Sequence, residues 1–194
     1  MQLLTFLLFF MTGLAGGTRW VVQKSSSLSI AGHTNVNHFT CGVPQCAEPD
    51  TLYFLPEGSR GSIPGIPLCG TVRLNVDDFD CHNRAMTGEF KTTVLANRFP
   101  QLKISFVNLE RMPSARCCPE AVKGWVEIEL AGTCRLFEID YTLLRSAPGV
   151  LELDGTRTLA FHDFALNPPE KMGGLIKVSD TLDVHFSLYL KQID

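Results

Sequence analysis

Along most of the chain apolar and polar side chains alternate with a period of two. The cleanest run sets Leu182, Val184, Phe186, Leu188 and Leu190 against Thr181, Asp183, His185, Ser187 and Tyr189. Such alternation belongs to a β-strand with one buried face. It recurs at Val72, Leu74 and Val76; at Leu102, Ile104 and Phe106; at Val122, Val126, Ile128 and Leu130; and at Phe137, Ile139, Tyr141 and Leu143. Shorter strands are predicted at 20–23, 28–30, 36–41, 151–153 and 159–161. Residues 131–134, around Gly132, join two long runs and read as a hairpin turn.

Two stretches break this rhythm. Met86, Phe90 and Val94 fall four apart, Asn83 precedes them as an N-cap, and Pro100 bars continuation, so a short amphipathic helix is predicted between strands. Residues 42–67 hold five of the eleven prolines around an apolar patch at 52–55. This stretch reads as a long irregular connection, or alternatively as a lid over a binding site. About eight or more antiparallel strands with one helix make an all-β domain, either a closed barrel or a two-sheet sandwich. Alternation alone does not choose between them.

Residues 1–17 carry an apolar run over 3–14, followed by Ala15, Gly16 and Gly17, with no charged side chain. The run is too short to span a bilayer and ends as a signal peptide does, so cleavage between Ala15 and Thr18 is expected, with an uncleaved anchor as the alternative. The first cysteine is Cys41, so no acylated cysteine follows the cleavage point. The expected product is one soluble domain, 18–194, periplasmic or secreted, without an integral membrane span.

With 17 basic against 20 acidic residues the net charge is −3, and no basic stretch points to nucleic acid. Seven cysteines in an exported chain suggest disulfides with one thiol left over. The chain has no Asn-x-Ser/Thr acceptor, which disfavours a glycosylated product.

No motif reaches the level of catalysis. His33, His38, Cys41 and Cys46 have a zinc-like spacing, but the two histidines are an odd number of residues apart and would converge only across a turn. Asn75, Asp77, Asp78 and Asp80 lack the Gly and distal Glu of a calcium loop. His162 and Asp163 are chain neighbours whose side chains diverge, and neither a G-x-S-x-G elbow nor a phosphate-binding glycine loop occurs. The expectation is a non-enzyme with no cofactor and no metal.

Several segments together resemble the YceI-like, polyisoprenoid-binding family, in particular its divergent Bacteroidetes-type branch. The stretch from Trp20 through Ser26-Ser-Leu28-Ser-Ile30-Ala-Gly32-His to Phe39-Thr-Cys41 is similar to that branch's first strands. Phe79-Asp-Cys81-His-Asn83-Arg84-Ala-Met86, then Phe99-Pro100-Gln-Leu102-Lys-Ile104-Ser-Phe106, resembles its helix and following strand. Asp163-Phe164 through Pro168-Pro169 to Gly174-Leu-Ile176-Lys-Val178 resembles its last turn and strand. The sequence departs where the better studied branch opens its helix with Arg-Asp-x-His-Leu; here Arg84 is followed by Ala85 and Met86.

The resemblance implies an antiparallel lipocalin-like barrel around an elongated apolar cavity, and so favours barrel over sandwich. It implies an apolar, lipid-like ligand, a polyisoprenoid or fatty chain, held for transport, storage or stress protection, with no polar anchor required. Candidate wall residues are Val72, Leu74, Val76, Leu102, Ile104, Phe106, Val126, Ile128, Leu130, Val184, Phe186 and Leu188, with Met86 and Phe90 of the helix near one mouth. Burying roughly ten methylenes at about 0.8 kcal/mol each yields about 8 kcal/mol before association costs, a ceiling near micromolar affinity. The same residues also suit a barrel packed solid. In that reading the protein is a structural or interaction module whose loops, such as 42–67, dock a protein partner. Cys41 and Cys81 both lie in resembling segments, each ending a candidate strand, and a bridge between them is expected. Cys134 is the expected free thiol: about ten extended residues at roughly 3.3 Å each separate it from Cys117 and Cys118 along one hairpin.

Overall fold

The computed structural model describes residues 17–46, 50–56, 63–112 and 118–193. Apart from Gly17, the segment expected to be cleaved lies outside them. The strands are β1 (Thr18–Val22), β2 (Ser27–His33), β3 (His38–Val43), β4 (Thr51–Phe54), β5 (Ile66–Asn75), β6 (Gln101–Leu109), β7 (Glu120–Leu130), β8 (Thr133–Ala147), β9 (Val150–Ala160), β10 (Glu170–Lys171), β11 (Ile176–Lys177) and β12 (Thr181–Ile193). One α-helix, α1 (Arg84–Thr93), separates β5 from β6.

All pairings are antiparallel, and β1 pairs with both β4 and β12, which closes the sheet into a barrel. β12 is long enough to serve two partners: its residues 183–187 pair with β2 and 190–193 with β1. β1 with β2 therefore forms one broken stave and β3 with β4 the next, followed by β5, β6, β7, β8, β9 and β12, giving eight positions. Where the first stave breaks, buried Ser26 mends the ladder by accepting the Tyr189 N–H on Oγ at 3.0 Å. Its carbonyl accepts the Cys46 N–H at 3.0 Å. An unpaired backbone group in this interior would be costly.

Period-two alternation becomes the inside and outside of this wall. Ile139, Tyr141 and Leu143 of β8 are buried, as are Phe186, Leu188 and Leu190 of β12. β7 and β8 meet at a two-residue turn in which Ala131 and Gly132 both have positive φ (51° and 77°), the backbone that suits strand twist. Gly132 is also required sterically, because a Cβ there would lie 2.6 Å from the Phe99 ring.

Three expectations need correcting. Residues 42–67 are not wholly irregular: the apolar patch at 52–55 supplies β4, a wall strand between β1 and β5, because Leu52 and Phe54 alternate inward. The strands expected at 151–153 and 159–161 are one strand, β9, whose polar middle at Thr156 to Thr158 faces solvent while β12 holds it in register. Cys41 and Cys81 are bridged, but Cys46, Cys69, Cys118 and Cys134 are free, so among the described residues one disulfide accompanies several thiols. Cys69 and Cys134 sit exposed on separate staves, opposite Tyr53 and Glu129, where no other cysteine faces them.

Candidate functional site

The barrel interior differs between its two ends. Toward the Pro148–Gly149 turn it is filled: Trp20, Leu52, Leu68, Leu109, Leu143, Leu151, Leu153 and Leu190 are nearly or fully inaccessible. Trp20 meets Phe54 edge-on with centroids 6.0 Å apart. At mid-height Phe186 meets Tyr141 edge-on at 5.7 Å and lies over Gly155, where a Cβ would be 2.2 Å from its ring.

Toward α1 the interior is hollow. A cavity of about 60 Å³ has only apolar walls: Leu28 and Ile30 from β2, Leu102 and Ile104 from β6, Ile128 and Leu130 from β7, and Leu182 and Val184 from β12. Val76, Phe79, Phe90 and Val94 cover it on one side, and Leu159, Phe161, Phe164 and Leu166 on another. A gap of about 10 Å³, sharing Leu28 and Ile104 with the cavity, continues inward past Val72, Leu74, Phe106, Phe186 and Leu188.

Outside the cavity, sharing Phe90 and Phe161 with it, lies a surface groove of about 260 Å³ between α1 and two hairpins. Val36, Phe39, Met86, Ile176 and Val178 line it together with Thr34, Asn37, Glu89, Thr93 and Lys171. Asn35 staples the hairpins to each other, donating from Nδ2 to the Leu175 carbonyl at 2.9 Å and accepting the Lys177 N–H on Oδ1 at 3.1 Å. A Lys171–Glu89 ion pair ties the β10–β11 hairpin to α1.

α1 covers the cavity without being built into the core, since none of its residues is fully buried. It forms because Asn83 accepts the Ala85 and Met86 N–H groups on its side chain, capping the first turn. Lys91 donates to the Asp77 carbonyl at 2.7 Å, and Thr87 accepts the Cys81 N–H at 3.0 Å. Beneath it the wall is incomplete: β3 does not pair with β5, and instead Gly42 and Asp80 exchange two backbone hydrogen bonds beside the Cys41–Cys81 bridge.

Of the sequence-predicted wall residues, Val76, Phe90, Leu102, Ile104, Ile128, Leu130 and Val184 line the cavity. Val72, Leu74, Phe106, Phe186 and Leu188 line the inner gap and not the cavity, with Ile104 spanning both. Val126 is fully buried and lines neither the cavity nor the inner gap, and Met86 faces the outer groove. Leu28, Ile30, Leu159 and Leu182 were legible in the alternation as strand residues but were not assigned to the wall. Phe161, which the sequence places at the end of a short strand, instead opens a 3-10 turn, and Phe164 lies on that turn, where period two gives no signal.

Other clusters are occupied by structural work. His33 faces His38 across the β2–β3 hairpin with ring centroids 6.1 Å apart, while Cys41 is bonded to Cys81, so the zinc-like set is not assembled. Asn75 caps the Asp77 N–H, and Asp80 holds the His82 N–H and the Thr87 hydroxyl. His162 Nδ1 contacts the Asp180 carboxylate, and Asp163 caps the Ala160 N–H. Among the described residues no group of three or more His, Cys, Asp or Glu is placed to hold a metal ion, and no helix is long and apolar enough to cross a membrane.

Compared with known proteins, the sequence matches no family model and no curated protein. Its structure is similar to solved ones. A polyisoprenoid-binding domain from Saccharophagus degradans, implicated in plant cell wall breakdown, superposes with a TM-score of 0.64 at 9% identity, covering 89% of this chain and 97% of that one. BcnA from Burkholderia cenocepacia gives 0.62 at 12%, covering 84% and 95%. The YceI protein of Campylobacter jejuni gives 0.53 at 13%, covering 65% and 73%. Coverage is near complete for the first two, and the fold of this chain is the one these solved structures share, that of the YceI-like barrels.

Proposed function

We propose that the protein is an exported, non-enzymatic carrier that holds an elongated apolar molecule, a polyisoprenoid or fatty chain, in the α1 end of the barrel. The observation that carries this reading is the contrast between the two ends: one is filled by side chains that are nearly or fully inaccessible, while the other keeps a wholly apolar hollow under a helix with no buried residue. A hollow lined only by apolar groups is unfavourable for water and accepts hydrocarbon. At about 60 Å³ it is far below the roughly 300–1,000 Å³ of ordinary ligand sites. Loading therefore requires widening, and α1 is the cover in which no residue is fully buried. Moving it outward merges the cavity with the groove beyond Phe90 and Phe161.

Solvent extraction of the purified protein followed by mass spectrometry tests the reading. A long-chain lipid in near-stoichiometric amount supports it, whereas a lipid-free protein that takes up no offered lipid refutes it. Export is tested separately: the reading expects a mature N-terminus between residues 15 and 18, and an exported protein still beginning at Met1 would contradict it.

A further inference from the structure

Tyr141 of β8 is buried in the barrel interior, beside the inner gap's Phe186, and leaves its hydroxyl unused. Its residue is 2% exposed, and its hydroxyl has no hydrogen-bond partner among the described residues. Native interiors rarely keep such an atom without cause, because its desolvation is uncompensated. Burial pushes the Tyr141 hydroxyl well above the ordinary tyrosine range, so it remains a proton donor at any physiological pH.

Its position gives it a use. Tyr141 lies opposite Gly155 on β9, and Gly155 in turn lies opposite Phe186 on β12, whose ring packs edge-on against Tyr141. Phe186 also borders the inner gap that shares Leu28 and Ile104 with the apolar cavity. A chain entering under α1 thus runs inward past Leu28 and Ile104 to Phe186, with the tyrosine behind it. We propose that the Tyr141 hydroxyl is the inner polar anchor of this lumen, donating a hydrogen bond to an uncharged carbonyl oxygen at the leading end of the bound chain once Phe186 turns aside. The inference rests on the carrier reading and narrows its ligand class. A carboxylate or phosphate at that depth would be left with one donor and no counter-charge, so charged leading ends are excluded and neutral ketones, esters, amides or quinone-type heads are favoured.

The test compares a twenty-carbon isoprenoid methyl ketone, carrying a ¹³C carbonyl, with the hydrocarbon of the same length. Affinities are measured by equilibrium dialysis on the whole protein and on Tyr141→Phe, which keeps the ring and its packing. The parent is expected to bind the ketone at least fivefold more tightly than the hydrocarbon and to move the carbonyl resonance downfield. In Tyr141→Phe both effects should vanish with hydrocarbon affinity unchanged. Equal affinity of the parent for the two compounds, or a preference that survives in Tyr141→Phe, overturns the anchor and leaves the carrier standing. If the parent binds neither compound, the carrier reading fails and the anchor with it.

Discussion

The ring of Phe90, on α1, rests against that of Phe79 with centroids 5.2 Å apart, and both rings border the apolar cavity. This contact is where the helix meets the barrel end. Aromatic pairs of this kind add about 0.5–1.5 kcal/mol beyond area burial. The rest of the helix is held by hydrogen bonds, ion pairs and its neighbouring disulfide. Such attachment is local, so α1 can open at a cost below that of global unfolding.

Asn83→Ala removes the side-chain acceptor of two first-turn N–H groups and should cost about 0.5–2 kcal/mol, most of it felt in α1. Amide exchange over residues 84–93 is expected to accelerate while β7 and β8 keep their protection. A uniform loss of protection across the barrel would show that α1 is integral to the fold instead of a local cover.

Cys41 and Cys81 close a segment with a sequence separation of 40, and loop-closure entropy puts the bridge at about 2–4 kcal/mol. Replacing both with serine should lower the melting temperature and loosen the Gly42–Asp80 bridge beside them, so that a bound chain exchanges faster. Unchanged melting and unchanged ligand exchange would contradict the role given to this end of the barrel.

Cys134, although exposed as a residue, has its thiol pushed up from 9.0 to about 11, first by partial desolvation of the sulfur and then by the carboxylates of Glu127 and Glu129. The folded protein holds this proton more tightly than the unfolded chain does. The associated stability is complete below pH 9 and is lost as pH rises through the interval toward 11. At pH 9 alkylation of Cys134 should be about fivefold slower in the folded protein than in denaturant, the smaller thiolate fraction outweighing its greater nucleophilicity. Glu127→Gln should recover part of the rate, and equal rates in both states would refute the assignment.

Much of this was readable beforehand, for physical reasons that differ by element. β12 announces itself because residues 181–190 alternate without interruption, and Asn83 marks the helix because capping is a local act. The patch at 52–55 hid among prolines, and only pairing with β1 and β5, remote in sequence, makes it a wall strand. Inward-facing residues were legible as a class, but alternation does not tell filled height from hollow height: Val126 and Ile128 are consecutive inward positions on β7, and only Ile128 borders the cavity. That difference depends on what the other staves send to the same level, which no single strand encodes.

Ile128 is therefore the position at which the central claim is most directly tested. It is 7% exposed, lies in the hollow half, and is flanked by Ile104 across the β6–β7 pairing. Extracted lipid and melting temperature should be measured together on the parent and on Ile128→Trp. The account predicts lipid in the parent, little or none in the variant, and a melting temperature close to the parent's, because the hollow takes up the added indole. A lipid-free parent, together with a variant destabilised by the roughly 1–3 kcal/mol typical of overpacking, would contradict it and leave a barrel whose interior serves only to hold its shape.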